Sequence, residues 1–111
     1  MNAFAALAEP RRKQIVSLLA EHGEMSASDI VKRFKVSPPA ISQHLKVLKE
    51  HNLVAVKKDA QRRLYSINPD GLNEMTDYIE GVRKMWEERL DRLEAYLNTL
   101  QSERNENDYR P

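Results

Sequence analysis

The sequence predicts a mainly α fold with a small two-stranded β-wing, and three observations predict it. Apolar residues recur every three or four positions along most of the chain, the period of a helix packed on one side. One stretch alone, Val54 to Ile67, is instead rich in β-branched and aromatic residues. Residues that start or stop helices, among them Pro10, Gly23 and the run Ser37-Pro38-Pro39, fall at the edges of the periodic segments.

Taken in order, Ala3 to Ala8 reads as a short apolar helix. The next helix runs from about Pro10 to His22, with Ile15, Leu18, Leu19 and Val16 at helical spacing and Gly23 as the stop. Ser26-Ala27-Ser28-Asp29 has the form of a capping box, opening a short helix with Ile30, Val31 and Phe34 inward and an end near Lys35. Ser37 then caps a new helix whose first two positions are prolines, where a missing N–H costs nothing. Ile41, Leu45 and Leu48 follow at i, i+4 and i+7, which leaves Ser42, Gln43, Lys46 and Lys49 on the free side.

Val54 to Lys58 and Arg62 to Ile67 form the two strands of a hairpin. Its tip, Asp59-Ala60-Gln61, has no glycine, which predicts a loop longer than the two-residue primed turn. From Pro69 to about Leu100 the apolar residues step by three or four in a nearly heptad rhythm, predicting one long helix. At ~1.5 Å per residue it would run roughly 45 Å, more than so small a domain can cover, so its apolar stripe needs a partner. Residues 102–111 are polar and read as a disordered tail behind a single domain spanning 1–101.

Composition removes whole classes of function. With no cysteine there is no disulfide framework, thiolate metal site, redox switch or cysteine nucleophile. Nothing reads as a signal segment or a membrane span, so the expected place is the cytoplasm, with no membrane partner. The net charge of +1 hides an uneven division. Residues 35–68 carry seven bases against two acids, and residues 69–111 six bases against eleven acids. A basic middle in a nearly neutral chain is an electrostatic footprint for a polyanion.

The short helix, the brief connection and the proline-started helix have the organisation of a helix-turn-helix, and the basic hairpin beside them makes it winged. Double-stranded DNA is the expected partner. Ser37, Pro38 and Pro39 stand at the start of the second helix, where free N–H groups and the helix dipole favour phosphate. Ser42, Gln43 and Lys46 can reach base edges or neighbouring phosphates, with His44 either facing DNA or packing between helices. Lys57, Lys58, Arg62 and Arg63 of the hairpin would lie along the adjacent backbone or minor groove. His22 and His51, each near a helix end, read as dipole or capping residues.

The run Val36-Ser37-Pro38-Pro39-Ala40-Ile41-Ser42-Gln43-His44-Leu45-Lys46-Val47-Leu48, continued by Glu50-His51-Asn52-Leu53-Val54, resembles the recognition region of the ArsR/SmtB family of bacterial and archaeal repressors. Phe4 to Arg12 resembles the family's opening and Arg62 to Ile67 its second wing strand, so the likeness covers roughly residues 3–100. It implies a homodimer joined through the first and last helices, with Phe4, Leu7, Leu72, Met75, Ile79, Val82, Trp86, Leu90, Leu93 and Leu97 as interface residues. It also implies operator contacts at Ser37, Pro39, Ser42, Gln43 and Lys46.

The sequence departs from the family's metal sensors. It has no Cys, and its histidines, His22, His44 and His51, all precede the last helix, so no metal ion and no other cofactor is expected. Trp86, with Met85, Tyr78 and Tyr96, reads as interface core, the alternative being the lining of a pocket for an unidentified small-molecule or protein effector. No oriented acid, glycine-rich phosphate loop or nucleophile elbow is present, which argues against an enzyme. Repression is the expected activity, activation its variant, and a winged helix serving only protein interaction the rival class.

Overall fold

The computed structural model describes residues 2–108. Eight elements follow one another: α1 (Ala3–Ala8), α2 (Pro10–His22), β1 (Met25–Ser26), α3 (Ala27–Lys32), α4 (Pro38–Glu50), β2 (Val54–Asp59), β3 (Arg62–Ile67) and α5 (Pro69–Asp108). They divide into two compact units, residues 1–76 and the remainder from Asp77 onward.

In the first unit each of the first four helices starts on a side chain that accepts an otherwise unpaired backbone N–H. Asn2 Oδ1 accepts from Ala5 at 2.9 Å and Glu9 Oε2 from Arg12 at 2.9 Å. Ser26 Oγ accepts from Asp29 at 3.2 Å and Ser37 Oγ from Ala40 at 3.3 Å. Gly23 ends α2 at φ 79°, its N–H bonded to Leu19 O at 2.8 Å. The connection between α3 and α4 is longer than expected. α3 closes at Lys32 because Arg33 and Phe34 bond back three residues, to Ile30 and Val31, tightening the last turn so that residues 33–37 form the link.

Ile15, Leu19, Ile30, Ile41, Leu45, Leu48, Leu53 and Val54 are fully buried and form the centre of this unit. They come from α2, α3, α4, the link after α4 and the start of β2, so α4 is held along its whole inner face. Its end is fixed as well. Asn52 adopts φ 57°, its N–H bonds to Lys49 O at 3.1 Å, and Leu53 N–H reaches back to Leu48 O at 3.0 Å, a Schellman ending. Asn52 O then accepts the N–H of Gly71 at 2.9 Å, so the close of α4 and the first turn of α5 share a hydrogen bond.

The hairpin is present and belongs to a three-stranded antiparallel sheet of order β1-β3-β2. Met25 pairs with Tyr65 and Ser26 with Leu64, a strand too short to leave a period in the sequence. The expected longer loop at the hairpin tip is corrected. Asp59 pairs with Arg62, leaving Ala60 and Gln61 as a two-residue turn, and Ala60 takes φ 55°. A positive φ confined to the first loop residue is the II′ pattern, here with alanine in the place glycine usually fills.

In the second unit α5 continues as helix through Asp108, beyond Leu100 and into the segment read as a tail. Positions 109–111 of that segment lie outside the described residues. No described helix is long and apolar enough to cross a membrane.

Candidate nucleic-acid interface

The inner face of α4, Ile41, Leu45 and Leu48, is buried to within 1%. Helical geometry therefore turns Pro39, Ser42, Gln43 and Lys46, at i, i+3, i+4 and i+7, outward on one stripe. All four are exposed. Beside them β2 and β3 run antiparallel with Lys57 opposite Leu64 and Lys58 opposite Arg63. A groove lies between this helix face and the wing, lined by Pro39, Ser42, Gln43, Lys46, Lys49, Lys57, Lys58 and Arg63, with Ala27, Leu45, Val56 and Tyr65 as its apolar parts. Five of these side chains are cationic and none is a carboxylate, so the groove's own residues offer an anion only attraction.

The fold brings together seven of the eleven residues that the sequence assigned to DNA: Pro39, Ser42, Gln43, Lys46, Lys57, Lys58 and Arg63. The other four stand elsewhere. Ser37 and Pro38 are exposed at the start of α4, with the Ser37 hydroxyl occupied as the cap. Arg62 reaches to Asp59 at 3.1 Å across the hairpin tip. His44 is half-buried against α2, its Nδ1 3.4 Å from an Arg12 guanidinium nitrogen and 3.9 Å from Glu9 Oε2, which is the helix-packing alternative. Lys49 also lines the groove. Its spacing from Lys46 and Ser42, three and seven residues, was the available signal.

The anchor of α2 is electrostatic as well as apolar. Glu9 accepts the Arg12 N–H as N-cap, and that bond holds its carboxyl below the ordinary value of 4.5, with the nearby charge of His44 acting the same way. Arg12 also donates from Nε to Ala6 O at 2.7 Å, tying α1 to α2. On the wing, Lys57 Nζ is 3.2 Å from Glu24, a carboxylate in the turn before β1.

The residues expected at a subunit interface separate into two sets. Leu7, Leu72 and Met75 pack against the core of residues 1–76. Phe4, Ile79, Val82, Trp86, Leu90, Leu93 and Leu97 are between 39% and 56% exposed. Arg89 lies 6.0 Å over the Trp86 ring, one helical turn away. Among the described residues no group of three His, Cys, Asp or Glu is placed to hold a metal ion.

The arrangement matches known proteins. Residues 9–56 match the model of the bacterial regulatory protein arsR family. The transcriptional repressor SdpR of Bacillus subtilis is 37% identical over 82 residues, 70% of this chain and 90% of that protein. An HTH-type transcriptional regulator of Mycobacterium tuberculosis is 44% identical over 71 residues, 64% of this chain and 65% of its own length. Among solved structures, an ArsR-like transcriptional regulator from a Rhodococcus species superposes with a TM-score of 0.72 at 31% identity, covering 81% of this chain and 84% of that one. The helix-turn-helix with its basic wing and these relatives agree: the chain belongs to the ArsR family, DNA-binding regulators of transcription rather than enzymes.

Proposed function

We propose that the chain is a homodimeric repressor that occupies a pseudo-palindromic operator and does not sense metal. The groove of five cations and no carboxylate, set against the polar stripe of a proline-started helix, carries this reading. In it Ser42 and Gln43 face base edges, Lys46 and Lys49 reach phosphates beside them, and the wing's Lys57, Lys58 and Arg63 follow the neighbouring backbone. The start of α4, with Ser37, Pro38 and Pro39, enters the major groove first.

The exposed stripe of α5 supports the dimer, because a row from Ile79 to Leu97 in water is costly unless a second copy covers it. Phe4 joins that interface in this reading. Two-fold symmetry would then place the two α4 helices in successive major grooves, ~34 Å apart. The absence of cysteine, and of histidine after His51, supports a signal other than a metal ion. A small molecule or a protein could supply it only by binding the DNA-competent and incompetent dimers unequally.

Sequencing the genomic fragments that the purified protein retains identifies the operator. Ser42→Ala and Gln43→Ala should each then reduce discrimination between operator and random duplex by ~1 to 3 kcal/mol per lost base contact, measured by titration at fixed salt. Unchanged discrimination would remove both from base readout. Failure to retain any duplex at moderate salt would favour a winged helix that binds only proteins.

A further inference from the structure

A second basic groove borders the helix-turn-helix. It runs between α2 and the α3–α4 link and is lined by Arg11, Lys13, Arg33 and Lys35, with Glu21 as its one carboxylate. Phe34 braces it, the Arg11 guanidinium lying 5.4 Å over its ring. None of the four cations forms an ion pair with a carboxylate among the described residues. Two wing cations, Lys57 and Arg62, do. Cations left unneutralised on four neighbouring positions repel one another, a cost that a polyanion removes.

Their position relative to α4 gives the partner. Ser42, Leu45 and Lys49 lie on one edge of α4 and line the wing groove. His44 lies on the opposite edge and touches Arg12 of α2. Arg12 therefore borders α4 on the flank away from the wing, with Arg11 and Lys13 its neighbours in sequence, and Lys35 stands only two residues before Ser37. A helix in a major groove ~12 Å wide has a phosphate backbone on each side of it. The wing serves one.

We infer that Lys13, Arg33 and Lys35, with Arg11 beside them, contact the second backbone of the same duplex. Bound DNA is then gripped from both flanks of α4, and this second grip is independent of sequence. The inference rests on the DNA-binding reading of the wing groove, so its test separates the two.

The measurement is fluorescence anisotropy of a random-sequence 40-base-pair duplex against full-length protein between about 50 and 200 mM salt. Each phosphate contact contributes about −0.9 to the slope of log affinity on log salt. The variant Lys13→Ala/Arg33→Ala/Lys35→Ala changes exposed side chains only. Losing three contacts from each subunit of the proposed dimer, six in all, should make its affinity roughly 1,800-fold less sensitive than wild type over that range. The wing variant Lys58→Ala/Arg63→Ala should flatten the slope separately and additively. A control removing Lys84, Arg92 and Arg104 from α5 should leave the slope unchanged.

A flattened slope in the triple variant but not in the control supports the inference. If only the wing variant responds, the second grip is overturned and the wing reading survives. If neither responds, both fall. If the control flattens the slope as much as the triple variant, overall charge rather than contact is responsible, and the inference is again overturned.

Discussion

Residues 2–76 and the helix from Asp77 onward are built from the same helical period and end in opposite states. In the first stretch eight large apolar side chains are less than 2% exposed, and Leu72 and Met75 of the opening turns of α5 still pack on that core. In the second, Ile79, Val82, Trp86, Leu90, Leu93, Leu97 and Leu100 continue the spacing, yet each is at least 42% exposed. Periodicity states which side of a helix is apolar. It does not state what covers that side, and the boundary near Thr76 is where the chain's own core stops supplying cover.

The strongest way to break this comparison is to make the second stripe indifferent to water. Leu90→Asp combined with Leu93→Asp leaves residues 2–76 untouched and puts charge in the centre of the exposed row. Under the proposed dimer, this variant should be monomeric by sedimentation where wild type is dimeric, while keeping its helical circular dichroism. Operator affinity should fall on the order of 100-fold or more, because two recognition helices no longer bind as one unit. A variant that stays dimeric with full affinity would overturn the dimer proposed through this row.

A pair of glycines on α5 sharpens the same contrast at smaller scale. A Cβ on Gly71 would lie 2.6 Å from Asn52 O and 2.8 Å from His51 O, and these are backbone atoms that cannot rotate aside. Gly71→Ala should therefore destabilise by ~1 to 3 kcal/mol in urea unfolding. A Cβ on Gly81 would meet nothing within 4 Å. It sits away from the side bearing Ile79, Trp86 and Leu97, so Gly81→Ala should stabilise, by up to ~1 kcal/mol of helix propensity. Destabilisation there would mean that this side of α5 is covered as well.

What could be read from the residues was whatever depends on neighbours in sequence. Ser26, Ser37 and the prolines marked helix starts because a cap acts over three residues. Ser42, Gln43 and Lys46 could be placed opposite Ile41, Leu45 and Leu48 because helical spacing decides it. What escaped depends on contacts across the fold. β1 is two residues long and exists because Tyr65 and Leu64 offer an edge to it. Ala60 accepts a left-handed φ because twelve paired strand residues draw the tip tight, overriding the preference for glycine. His44 shares a helix with the groove residues, and only the approach of α2 shows that it packs against Arg12 and Glu9. The division of Leu7, Leu72 and Met75 from the exposed stripe likewise had no local signature.

The smallest expected effect tests how that tertiary contact is tuned. The Glu9 carboxyl is held below its ordinary value, chiefly by the Arg12 N–H it accepts. A carboxylate favoured by the folded state contributes stability that is fully present above the ordinary value of 4.5 and disappears as pH falls through the lowered one. Glu9→Gln keeps an acceptor for the cap and removes the charge. The wild-type thermal midpoint should therefore be the higher one above the ordinary carboxylate range, and the two should converge as pH falls through and below it. A gap that stays the same down to pH ~2 would mean that the charge contributes nothing and that the cap works through its hydrogen bond alone.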